Sequence, residues 1–277
     1  MTGIGAFRDA AAASGIPADE VAAWLGVARV CVQLDARAGS GPVAGRIGGL
    51  PALPPELPWP VSRDGRALPF VAAIHCAAVP RDGVDVVVPE SGTLLFFLDY
   101  ERTFWAVGDG HAERDNMRVL HVPDGAGETP VPLGDDGAAV VTAYPRNDLF
   151  PSVRLSVPDE LDEDEDFQRR VPHWSELGAL AERQWTEVSW PDRETMIIGG
   201  HGFEAQYSAE STVAAELYGE SAGDDREAEV LRDWRPLAQF GLPDPMHEYV
   251  NARFMIARAD LAECRFDRVV SSAEFTE

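Results

Sequence analysis

The strongest constraint on this chain is a block that occurs twice in the same order. Arg46-Ile47-Gly48-Gly49 leads to the apolar run Leu68–Ile74 and then to Gly92-Thr93-Leu94-Leu95-Phe96-Phe97-Leu98-Asp99. Ile197-Ile198-Gly199-Gly200 leads likewise to Trp234-Arg235-Pro236-Leu237-Ala238-Gln239-Phe240 and then to Asn251–Ala257. A repeat constrains architecture ahead of any local motif. The expected fold is therefore α+β: a single domain with two strand-rich, internally duplicated halves, a connecting helix and N-terminal helices.

Local signals place the boundaries within 1–277. Residues 1–27 read as two short helices, because an Ala-rich stretch breaks at Ser14-Gly15 and a second starts at Pro17, with Asp19 and Glu20 in its first turn. Residues 28–145 form the first strand-rich half, 146–190 a connecting acidic and helical segment, and 191–277 the second half, with a helical insertion over 211–233. Short β-branched or aromatic runs predict strands at Val30–Leu34, Leu68–Ile74, Val84–Val88, Thr93–Tyr100, Val119–Val122, Ala138–Ala143, Arg253–Arg258 and Phe266–Val270. Five prolines between Pro51 and Pro60 exclude both helix and ladder and predict an extended loop around Trp59. A helix is expected from about His173 to Trp185.

Composition excludes whole chemistries. The 47 acids face 23 bases, every base is an arginine, and the formal charge is −24. Without lysine there is no Schiff base, no pyridoxal phosphate anchor and no phosphate-loop lysine. Such an acidic chain repels nucleic acid and favours a basic protein as partner. Cys31, Cys76 and Cys264 are too few and too far apart for a disulfide framework or a zinc site, and are expected to be buried thiols. No apolar run reaches the length of a membrane span and no leader pattern opens the chain, so a cytoplasmic location is expected. No cofactor is implied, because the Gly39–Gly45 loop is followed by prolines and glycines and not by the helix a dinucleotide site needs. No metal is implied either. Asp162, Asp164 and Asp166 resemble the start of a calcium loop, but Phe167 stands where that loop needs glycine and His173 where it needs glutamate.

Gly48-Gly49-Leu50-Pro51, Leu57-Pro58-Trp59-Pro60, Leu68-Pro69-Phe70, the Gly92–Tyr100 strand, Trp234–Phe240 and Arg265-Phe266-Asp267-Arg268-Val269 resemble the YwqG-like family of bacterial proteins over about residues 25 to 270. The resemblance implies a single α+β domain with duplicated strands, in a family of unknown function, and no activity. In place of the family's Gly-Gly-Tyr-Pro-like turn, this chain has Gly199-Gly200-His201-Gly202-Phe203.

Serine-hydrolase elbows and zinc-protease motifs are absent. Candidate binding residues are those in repeat turns and polar positions. His201, His247 and Glu248 lie in turns of the second half, where the plain alternative is a surface histidine. Trp59 and Trp105 could wall a concave face or anchor loops in the core. Gln206 and Gln239 could bind a ligand between the repeats with Arg46 and Arg235, or brace the repeats against each other. The first reading is a non-catalytic binding protein whose acidic surface engages a basic protein partner. The alternative is a hydrolase with a His/carboxylate site in a cleft between the two repeats.

Overall fold

A computed structural model describes residues 3–38, 41–105, 115–125, 144–158, 161–204, 206–219, 221–242 and 249–276. The N-terminal helices α1 (Ile4–Ala13) and α2 (Ala18–Val27) break at Ser14-Gly15 and Pro17 as the sequence implies. The strands are β1 (Arg29–Asp35), β2 (Gly45–Ile47), β3 (Phe70–His75), β4 (Thr93–Leu98), β5 (Met117–Val122), β6 (Asn147–Ser156), β7 (Thr195–Ile198), β8 (Trp234–Gly241), β9 (Tyr249–Ala257) and β10 (Val270–Thr276). The remaining helices among the described residues are α3 (Tyr100–Trp105), α4 (Glu165–Arg170), α5 (Trp174–Glu182), α6 (Ala209–Tyr218), α7 (Asp224–Asp233) and α8 (Arg258–Ala262).

Among the described residues, all ten strands join one antiparallel sheet in the order β10-β9-β8-β7-β1-β6-β2-β3-β4-β5. Two four-stranded meanders, β2 to β5 and β7 to β10, flank the central pair β1 and β6. Each first strand ends in paired left-handed glycines, Gly48 and Gly49 (φ 70° and 74°) and Gly199 and Gly200 (φ 76° and 79°). Each second strand carries a register shift, at Phe70/Ala72 and Pro236/Ala238. Just past each shift an alanine faces a phenylalanine: Ala72 opposite Phe96, and Ala238 opposite Phe254.

The sheet curls so that its two halves share one core. Phe96 meets Phe254 with ring centroids 4.9 Å apart, and Phe240 stacks on Phe254 at 5.9 Å. The space between the halves is therefore packed side chain, not a cleft, among the described residues. The curl nearly closes. Helix α3, which leads from β4, packs on β10 through Tyr100 and Phe104 against Phe275, while the turn Phe266–Arg268, which leads into β10, packs on β5 with Phe266 against His121. Each half thus covers the other's outer strand, the usual place for unwanted pairing.

Several sequence expectations are corrected. Val84–Val88 is not a strand; Val86 and Val88 are buried in the shared core, while Asp85 is drawn aside to Arg235. The last strand starts at Val270 and not at Phe266, since Phe266–Arg268 forms a 3-10 turn. Strand β6 occupies a stretch read as connecting segment, and it holds Pro151 in mid-sheet. Antiparallel residues alternate which neighbour they bond. On the side away from β1, the Leu149 carbonyl accepts from Ala44 N–H, and Leu155 exchanges bonds with Thr186 and Val188. Pro151 shares their parity, so its missing N–H faces the gap between those partners and removes no ladder bond. Cys31 and Cys76 are buried, but Cys264 is exposed. The strand expected at Ala138–Ala143 lies outside the described residues.

Candidate functional site

The predicted site residues settle into separate places. Arg46 is 7% exposed and donates to the carbonyls of Gly48 and Leu50, with its guanidinium 5.0 Å over the Phe70 ring, so it braces the first Gly-Gly turn. The Trp59 indole donates to the Leu68 carbonyl and meets Phe97 edge-on, anchoring the proline-rich loop on the outer face of the first meander. Trp105 is 76% exposed beside Phe104 and Phe275. His247 and Glu248 lie outside the described residues.

The second meander gathers the rest. Gln239 is fully buried; its amide donates to the Phe203 carbonyl and accepts from Phe203 N–H, while Asn251 donates to the same carbonyl. Glu274 accepts from the N–H groups of Gln206 and Tyr207, and Arg253 donates to the Tyr207 carbonyl. Arg253 and Glu274 approach to 3.5 Å, each 1% exposed. Gln206 itself is exposed and donates to the Phe275 carbonyl. This network straps the backbone of Phe203, Gln206 and Tyr207 to the outer face of β8 to β10, where the first meander uses apolar contacts instead.

His201 continues the second Gly-Gly turn. Its N–H donates to Ser156 Oγ, and its ring Nε2 lies 2.7 Å from the Val27 carbonyl. A carbonyl can only accept, so Nε2 carries the proton. Burial, then the positive charges of Arg29 and Arg235, depress its pKa to about 3. An imidazole that resists protonation when folded, against about 6.5 unfolded, gives its full stabilisation above pH 6.5 and loses it as pH falls towards 3. The slope is up to about 1.4 kcal/mol per pH unit. His201→Gln keeps the donor without the titration. Urea melts at pH 7 and pH 4.5 should therefore show wild type losing about 2 kcal/mol more than the variant; an equal loss in both would refute the buried neutral imidazole.

Nearby, Asp85 is 7% exposed and bridges Arg235 at 3.1 Å and Arg258 at 3.2 Å. Arg29 donates to the carbonyls of Gly200 and Leu231, and burial followed by Arg235 lowers its pKa to about 10. Burial raises the thiols of Cys31 and Cys76 to about 12 and about 11, which keeps both protonated and poorly nucleophilic.

A cavity lies elsewhere, between α2, β6 and α5. It encloses about 390 Å³ and is walled by Trp24, Trp174 and Trp185, with Asp162, Glu182 and Glu187 on its lining and Gly178 leaving one wall open. The helices that shape it are held by Phe7, which stacks on Trp24 at 5.0 Å and meets Trp185 at 5.7 Å. Glu20 fixes the start of α5, because its carboxylate accepts from both the N–H and the ring Nδ1 of His173. The acidic run serves the preceding helix, where Asp164 caps α4 by accepting from Phe167 N–H. In the sequence these tryptophans are marked only by their apolar neighbours. Their spacing carried no further signal, since Trp24 and Trp174 meet from opposite ends of the first 180 residues. Among the described residues no group of three or more His, Cys, Asp or Glu is arranged to hold a metal ion.

Residues 45–274 match the family described as a domain of unknown function, DUF1963, and the chain belongs to that family. No curated protein matches it.

Proposed function

We propose, for this member of the DUF1963 family, a non-catalytic binding role in which the tryptophan cavity receives a cationic side chain of a basic protein partner. The cavity is the observation that carries this reading. Indole faces attract cations, guanidinium above all, and the effect strengthens when the cation leaves water. Carboxylates at the rim add the complementary charge, and the net charge of −24 speeds encounter with a basic partner. Cavities that bind ligands are mostly apolar with a few polar groups, which describes this lining.

The hydrolase reading finds less support. Of the described histidines, His201 is committed to a backbone carbonyl and His173 to Glu20, and His121 lies 2.9 Å from the Ser91 carbonyl. The thiols of Cys31 and Cys76 are buried and held protonated. We also read the chain as YwqG-like and its two meanders as an internal duplication; the matching Gly-Gly turns, register shifts and Ala–Phe pairs support that reading. No helix of the described residues is long and apolar enough to cross a membrane, and a cytoplasmic location stays part of the proposal.

The test is a tryptophan-fluorescence titration with N-acetyl-arginine amide against its neutral isostere N-acetyl-citrulline amide. Arginine should perturb the emission saturably and citrulline should not. Trp174→Ala, and Gly178→Leu, which fills the cavity while keeping every indole, should each weaken binding tenfold or more. Equal responses to arginine and citrulline would overturn the reading.

A further inference from the structure

We infer that the tryptophan cavity is one of two subsites in a single groove, which takes an extended basic peptide segment through two cationic side chains; this rests on the binding reading above. A second cavity of about 610 Å³ adjoins the first and shares Val157 and Pro158 with it as a common wall. Its lining includes Glu210 from α6 and Glu227 from α7, both half-buried, with the neutral His201 between the sheet and these helices.

Every charged side chain that lines the two cavities is acidic. Elsewhere acids commonly meet an arginine: Asp64 with Arg102, Asp148 with Arg146, Glu229 with Arg226, Asp260 with Arg265. Among the described residues, Asp162, Glu182, Glu187, Glu210 and Glu227 make no ion pair, and no arginine lines either cavity. Arg29 feels the charge of Glu210 but directs its donors at the Gly200 and Leu231 carbonyls. Glu210 and Glu227, partly withdrawn from water, gain when a cation arrives from outside, and the exposed Asp162, Glu182 and Glu187 add complementary charge at the first cavity. Two acidic cavities on either side of one short wall suit a ligand with two cations and a linker between them. A nucleic acid carries the wrong sign, and one small cation fills one subsite only. An extended peptide advances about 3.3 Å per residue, so a short spacer between two arginines spans adjoining cavities.

The probes are acetylated peptides with one arginine, or two arginines separated by one to five Gly/Ser residues, titrated at low salt. The expected result is a spacing that binds at least tenfold tighter than the single-arginine peptide, because the second contact is intramolecular. The Glu210→Gln/Glu227→Gln variant should return that peptide to the single-arginine affinity. The equally charged Glu56→Gln/Glu90→Gln variant, altered far from the groove lining, should keep the gain. The inference is overturned if the second arginine adds no more than twofold, if both variants lose the gain alike, or if spermidine outcompetes every peptide. A single-arginine peptide that fails to bind at all sinks the underlying binding reading instead.

Discussion

Gly48→Ala is expected to abolish folding, while Gly65→Ala, with a similar left-handed backbone, costs only about 1–2 kcal/mol. Both glycines have positive φ, 70° and 81°, so conformational strain is common to both. Space is not. A Cβ on Gly65 would meet nothing within 4 Å, whereas one on Gly48 would lie 2.2 Å from the Pro145 carbonyl oxygen and 2.7 Å from that of Tyr144. Those are backbone atoms on the approach to β6, and Gly48 N–H simultaneously donates to the Val71 carbonyl of β3. Relief would have to separate β2 from a neighbour. Losses above about 4 kcal/mol are exceptional for single substitutions, and here the loss should reach the whole stability of about 5–15 kcal/mol. Circular dichroism and urea melts of the two variants settle the matter; equal, modest losses would mean that strand β6 can retreat.

The second large effect concerns Arg253 and Glu274. Arg253→Met should cost about 3–5 kcal/mol, because it leaves Glu274 charged, buried and without its counter-ion. Glu274→Gln should cost a similar amount for the converse reason. The double variant should recover about 2 kcal/mol of the summed loss, since no buried charge is left and a glutamine oxygen still accepts from Gln206 and Tyr207 N–H. Recovery should stay incomplete: methionine offers nothing to the Tyr207 carbonyl, which Arg253 Nη1 reaches at 2.6 Å. Urea denaturation of the four proteins in the cycle gives the coupling directly. Strict additivity would show that the two side chains act independently despite their 3.5 Å separation.

The meanders were legible because their signals are local. Gly-Gly after a short apolar strand requires positive φ, and runs such as Leu94–Leu98 can be covered only inside a sheet. Strand β6 was hidden because Asn147, Asp148, Pro151, Ser152 and Arg154 look like loop; only its neighbours' bonding parity makes Pro151 harmless. Val84–Val88 misled in the opposite sense, since its valines face a core while Asp85 answers an arginine 150 residues away. The cavity followed the same rule. Trp24, Trp174 and Trp185 stand among apolar neighbours in the sequence, but the hollow they line exists only once α2 and α5 are brought together by Phe7 and the Glu20–His173 contact.

Strand β1 lies outside the span shared with the family, which opens at residue 45, yet it stands between β6 and β7 in the middle of the sheet. A boundary drawn by sequence likeness is therefore not a boundary of the folding unit. Excising residues 45–274 would split the ten strands down their centre, baring the β1-facing edge of β6 over Phe150–Ser156 and that of β7 over Thr195–Ile198. The same cut would remove Trp24 and with it one wall of the cavity. Helix α2 and strand β1 act as the keystone of this domain and not as an appendage to it.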